Sequence, residues 1–153
     1  MTTTEEHPVE RRKGSHEAIA KLIAHRTDML TLYGELASHR PYHPSDELLD
    51  LLQRFCQALV DYTADAHFRL YRFIETRNER RQSVARIAQT VYPKISVSTQ
   101  RILDFNDKYD CEDHCGDFSE LADDLSRLGE TLADRIDLED RLIQVLASPR
   151  SRT

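Results

Sequence analysis

Apolar residues recur at three- and four-residue steps along most of this chain. Ile19, Leu22, Ile23, Leu30, Tyr33, Leu36 and Ala37 form one such stripe, which predicts a first helix of about six turns from Ser15 to the Pro41-Tyr42-His43-Pro44 break. Ser45 followed by Asp46 and Glu47 has the chemistry of an N-cap, with acids in the first turn where the helix dipole favours them. A second stripe, Leu48, Leu52, Phe55, Cys56, Leu59, Val60, Thr63, Ala66, His67, Leu70 and Ile74, predicts a helix that runs to the basic turn Arg77-Asn78-Glu79-Arg80-Arg81. Val84, Ile87, Ala88 and Val91 mark a short helix that stops at Pro93, a residue suited to open the next one. That next helix carries Ile95, Thr99, Ile102, Phe105, Asn106 and Tyr109. After the polar loop from Asp110 to Gly116, Asp117 and Glu120 have capping-box spacing. The final stripe is Phe118, Leu121, Leu125, Leu128, Leu132, Ile136, Glu139, Ile143 and Leu146.

No strand-like alternation or hairpin dipeptide competes with these helices, so the predicted fold is all-α. Four long helices and one short one make a single-domain antiparallel bundle over residues 15–147. The polar, aperiodic residues 1–14 are expected to form a flexible arm, and residues 148–153 a C-terminal tail. Only four glycines and five prolines among 153 residues agree with a helical chain, and 39% hydrophobic residues suffice for a core. No run approaches the roughly 18 apolar residues of a membrane helix, and the N-terminus lacks an apolar signal core. A cytoplasmic protein without membrane contact is expected. Three cysteines, an odd number, argue against a disulfide framework and fit a reducing compartment.

Charge changes this picture more than composition does. The net charge is −6, but between Asp104 and Asp140 there are 14 acids against Lys108, Arg127 and Arg135, a local net of −11. Such a segment repels nucleic-acid phosphates, so direct DNA binding is not expected. It would attract a basic partner, or else serve as a solvated face that keeps the protein soluble.

Catalytic signatures are thin. The chain has no Gly-rich phosphate loop, nucleophile elbow, His-Glu-x-x-His pair or Glu-x-x-His di-iron motif, so neither an enzyme nor a cofactor is expected. Cys111, His114 and Cys115 could supply soft ligands to zinc, but a single Cys-x-x-x-Cys without a second pair is a weak signal, and an exposed acidic loop with reduced thiols is the preferred reading. Cys56, on an apolar stripe, reads as a small core residue. Three polar side chains fall where the helical period asks for apolar ones: Arg26, His67 and Glu139. Buried singly, each would cost several kcal/mol, so a mutual Arg26–Glu139–His67 network is expected, either as a register pin or as the floor of a pocket. On the flank of the second helix, Ala58, Asp61, Asp65, Phe68 and Arg72 form an outer row beside Tyr62. Phe68 and Tyr62 as apolar anchors, with Asp61, Asp65 and Arg72 beside them, have the make-up of a protein-binding patch.

The run Phe55-Cys56-Gln57-Ala58-Leu59-Val60-Asp61-Tyr62, continuing to Ala66-His67-Phe68, resembles the signature of the regulator-of-sigma-D (Rsd/AlgQ) family of bacterial anti-sigma factors. Tyr92-Pro93-Lys94-Ile95, Leu103-Asp104-Phe105-Asn106-Asp107 and Leu138-Glu139-Asp140-Arg141-Leu142-Ile143 agree with it in order, so the likeness spans residues 15–147. The Cys-bearing acidic loop looks closest to the Pseudomonas-type AlgQ branch. The resemblance implies a helical bundle that binds region 4 of the primary sigma factor as a monomer or weak homodimer. Asp61-Tyr62, His67-Phe68, Glu139-Asp140 and Arg26 stand at positions that match the family's pattern. Two departures stand out. Ala64-Asp65-Ala66 replaces the family's usual Ser-Ala-Gly, and the tryptophan common in the first helix is missing. A ligand- or metal-responsive bundle and an adaptor for other signalling proteins are the rival readings.

Overall fold

A computed structural model of the protein describes residues 8–68, 82–109 and 118–147. Four helices occupy them: α1 (Pro8–Ala37), α2 (Asp46–Ala66), α3 (Gln82–Tyr109) and α4 (Leu121–Ala147). Helix α1 packs chiefly on α2 and α3 on α4, while α2 with α3 and α1 with α4 complete the ring. Neighbours run antiparallel. Along α1 and α4, Tyr33 meets Leu125 whereas Arg26 meets Asp140, and along α3 and α4, Tyr109 meets Asp124 whereas Ser98 meets Arg135. The predicted all-α bundle is therefore present.

Local sequence explains the helix starts. The Ser45 hydroxyl accepts a 3.0 Å hydrogen bond from the Leu48 amide in the extended backbone geometry of an N-cap, with Asp46 and Glu47 in the first turn as the dipole favours. Helix α1 begins at Pro8 rather than at Ser15, so residues 8–14, read from sequence as part of an arm, are helical. Proline fits a first helical position because its missing amide has no partner there anyway, and no further breaker follows until Gly14, which a helix tolerates for about 1 kcal/mol.

The short helix expected before Pro93 is instead the first half of α3, which runs through the proline without interruption. The buried positions explain why. Ala88, Val91, Ile95, Ser98, Ile102, Phe105 and Tyr109 follow one another at unbroken three- and four-residue steps, so a stop at Pro93 would split a single apolar stripe. Pro93 lies on the exposed side, and Gln89, whose carbonyl it leaves without a helical donor, is exposed there too and can bond water.

An aromatic ladder ties three helices together. Tyr33 and Phe55 meet edge-on at 6.0 Å and Phe55 and Phe105 at 5.9 Å, while Phe105 and Tyr109 lie tilted at 4.7 Å. Its ends reach α4. Tyr109 donates to the Asp124 carboxylate, which also meets Lys108 at 2.7 Å. Burial pushes the Asp124 carboxyl up, but Lys108 and the Tyr109 hydroxyl together pull it below the ordinary value. At the other end, the Tyr33 hydroxyl donates to the Leu125 carbonyl at 2.9 Å, and this bond requires Gly129. A Cβ at position 129 would overlap the Tyr33 hydroxyl oxygen and come within 3.0 Å of its ring carbon Cζ. Gly129→Ala is therefore expected to lower stability by about 1–3 kcal/mol despite the better helix propensity of alanine. Thermal unfolding would show it, with Gly129→Ala/Tyr33→Phe recovering part of the loss. An unchanged melting temperature in the single variant would refute the close approach.

A buried polar layer beneath a candidate partner-binding face

The charged groups that sequence places on apolar stripes do meet, in a layer that draws on all four helices. Glu139 of α4 is wholly buried, and Arg135, one turn earlier, is 1% exposed. They face each other at 3.3 Å. The Tyr62 hydroxyl of α2 donates to Glu139 Oε1 at 2.6 Å and accepts from Arg135 Nε at 3.1 Å, with the guanidinium 5.4 Å from its ring centre. From α3, the hydroxyls of Ser98 and Thr99 accept from Arg135 Nη1 at 3.0 and 2.7 Å. Helix α1 contributes Arg26, which lies 3.5 Å from Glu139 and donates to Asp140 at 2.9 Å.

Two guanidinium groups and two carboxylates thus balance, and hydroxyls fill the remaining directions. That matters because a buried ion costs several kcal/mol unless its partners are complete. Burial, and then the facing Glu139 carboxylate, raise the Tyr62 phenol well above its ordinary value.

The structure brings together Arg26 and Glu139 of the expected network but not His67. That imidazole is exposed at the end of α2, where its ring packs edge-on against Phe68 at 5.0 Å. Arg135 takes the place expected for it. Tyr62 is a second correction. Expected beside Phe68 as an apolar anchor for a partner, it is 0% exposed, because its position continues the buried series Leu48, Leu52, Phe55, Leu59, Tyr62 and Ala66.

The same spacing was available for Arg135. Leu121, Leu125, Leu128, Leu132, Arg135, Glu139 and Leu142 step by threes and fours, and all seven are buried. Preferring Ile136 on hydrophobicity alone hides the arginine, since Ile136 is half-buried.

Directly outside Tyr62 lies the expected outer row. Asp61 is exposed and accepts from Gln57 at 3.0 Å, Ala58 and Asp65 are half-buried, and Phe68 is 58% exposed. Such exposure of a phenylalanine on a helix that buries its other aromatic rings is a candidate anchor for a partner. Cys56 belongs to the core, as its stripe position requires. Arg72, Leu70 and Ile74 lie outside the described residues, as do Cys111, His114 and Cys115. Among the described residues, no group of three or more histidine, cysteine or acidic side chains could hold a metal ion, and no helix is long and apolar enough to cross a membrane.

Together these features make an all-α bundle with a buried charged layer and, on α2, a flank that carries acidic side chains and an exposed phenylalanine. Its family is established by comparison. Residues 1–147 match the family described as "Regulator of RNA polymerase sigma(70) subunit, Rsd/AlgQ", and the chain belongs to it. Among curated relatives, the "Regulator of sigma D" of Shigella dysenteriae serotype 1 (strain Sd197) is 34% identical over 138 residues, 88% of this chain and 86% of the relative. The protein of the same description from Escherichia coli (strain K12 / DH10B) shows the same identity and coverage. No solved structure matches this chain.

The layer gives two expected outcomes. Glu139→Ala strands Arg135 and should cost about 3–5 kcal/mol in denaturant unfolding, whereas Tyr62→Phe, which keeps the ring, should cost about 1–2 kcal/mol. A phenol whose folded value is raised stabilises fully below its unfolded value, about 10, and that contribution is lost as pH rises above it. Stability should accordingly fall above about pH 10, and less steeply in Tyr62→Phe. Parallel alkaline limbs in the two proteins would contradict a buried, neutral Tyr62.

Proposed function

We propose that this protein is an anti-sigma factor that acts in the cytoplasm by stoichiometric binding. It takes up region 4 of the primary sigma factor and holds it away from core RNA polymerase and from the −35 promoter element. The exposed Phe68 ring, set on the same helix flank as the Asp61 and Asp65 carboxylates, carries this reading. A protein segment that reads promoter DNA must be basic to meet phosphates, so acids around an apolar anchor complement it. No turnover is involved. The partner is sequestered for as long as the complex lasts, and polymerase is left to other sigma factors.

The residues take distinct parts. Phe68 inserts as the apolar anchor, Asp61 and Asp65 meet arginines of the partner, and Arg72, outside the described residues, is a further candidate contact. Tyr62 does not touch the partner. It holds the rotation of α2 from beneath, together with Arg26, Arg135 and Glu139. The buried Arg135–Glu139 pair cancels internally, so it leaves the net charge of the segment between Asp104 and Asp140 unchanged.

Calorimetric titration of the purified protein with isolated sigma region 4, at low and at physiological salt, tests the reading. The expected result is a 1:1 complex that weakens with salt, with no binding to a DNA duplex. Phe68→Ala should weaken it by about 2 kcal/mol and Asp61→Ala by about 1–3 kcal/mol if a desolvated arginine is its partner. Full affinity in both variants would remove this face from the interface, and no complex with the unchanged protein would sink the proposal.

A further inference from the structure

Asp61 faces α1 as well as solvent. Between the two helices runs a groove of about 460 Å³, lined by Asp28, Thr31 and Leu32 of α1 and by Gln57, Ala58 and Asp61 of α2. The antiparallel register explains why these residues share it. Tyr33 stands beside Phe55 and His39 beside Glu47, so each step back along α1 answers a step forward along α2, and Asp28 comes level with Asp61. Both carboxylates are exposed, and neither has a basic partner among the described residues.

The opposite end of the groove differs. Arg54, two turns before Asp61, lines it as well and is tied to Asp50 at 3.2 Å. The groove therefore has an anionic end, an apolar floor of Leu32 and Ala58, and a far end where the arginine is already matched by an acid.

We infer that this groove, rather than the α2 face alone, is the docking surface, and that Asp28 of α1 is a specificity-determining residue within it. Its occupant is a basic helix of the sigma factor, with an arginine or lysine between Asp28 and Asp61. A small apolar side chain rests on Leu32 and Ala58. The inference rests on the anti-sigma reading and adds to it which partner chemistry the site selects and in which direction.

A helix seated between two antiparallel helices presents side chains at three- and four-residue spacing into the groove. A guanidinium shared by two carboxylates that have no basic partner among the described residues makes charge-assisted bonds in a partly desolvated place. About 10 Å further along, Asp50 is already taken by Arg54, so a second cation finds no unmatched acid there and a partner with its charge at one end fits better than one with evenly spread charge.

The test is the same calorimetric titration with sigma region 4, using the full chain. Asp28 is exposed and pairs with nothing among the described residues, so its replacement leaves the fold intact, as circular dichroism would confirm. Asp28→Asn is expected to weaken binding about fivefold and to flatten its salt dependence, and Asp28→Lys to weaken it more than about 20-fold. Asp123→Lys makes the same charge change at an exposed position on α4 and should alter affinity less than about twofold.

Equal weakening by Asp28→Lys and Asp123→Lys would reveal a general field in place of a site and overturn the inference. Full affinity in Asp28→Lys while Asp61→Ala binds weakly would confine the interface to α2 and overturn it alone. No complex with the unchanged protein would overturn this inference and the anti-sigma reading together.

Discussion

The contact between Arg135 and Glu139 organises everything around it. Two opposite charges with almost no solvent access lie at 3.3 Å, and each would cost several kcal/mol if left alone. Their remaining directions are filled from the other three helices, by Tyr62, by Ser98 and Thr99, and by Arg26. A purely apolar core tolerates sliding of one helix past another, since one leucine resembles the next. Here a slip of a single turn, about 5.4 Å, would withdraw one helix's polar group and leave an arginine or a glutamate without its partner. The layer therefore contributes less to net stability than its bond count suggests, and more to the selection of one register.

Register and rotation are what turn the fold into a surface. On a helix, consecutive residues point about 100° apart, so fixing Tyr62 inward turns Asp61 outward and sets Asp65, three residues on, half-buried at the edge of the same flank. Arg26 does the same for α1. Held toward Glu139 and Asp140, it leaves Asp28, two residues on, directed away from α4 and onto the groove beside α2. The same layer thus sets both walls of the proposed docking groove, although none of its members lines it. Damage to the layer would loosen the groove without removing a single contact to the partner.

How much of this was legible from the sequence follows from what periodicity measures. The three- and four-residue rule finds a buried direction, and it located the helices, the Ser45 cap and the Asp61–Phe68 flank. It failed wherever chemistry overruled position. At Pro93 a strong local breaker suggested a boundary, yet the stripe on either side was already continuous. At 135 and 136 the period alone favours the arginine, and hydrophobicity pulled the assignment one residue too far. Tyr62 keeps the period of the buried stripe, but a ring that can be buried carries a hydroxyl that can be wet, and its chemistry drew the reading outward. His67 kept the spacing of the core stripe, but α2 ends there and its buried face ends with it. Buried polar groups are invisible one at a time because each is unfavourable alone. They become legible only as a set whose charges and donors close.

That closure also determines which acids matter at long and at short range. Arg135 and Glu139 neutralise one another inside the bundle, and Arg26 with Asp140 does so at its edge, leaving the outer carboxylates to generate the field. In physiological salt, charges more than about 8 Å from a docked partner are largely screened. The acidic surplus on α4 therefore governs solubility and weak attraction from any direction, whereas carboxylates at a groove act on a seated cation at contact distance. A protein of this kind can be strongly acidic overall and still be selective, because the numerous charges guide the approach and only a few, held in place from beneath by the buried layer, decide what stays.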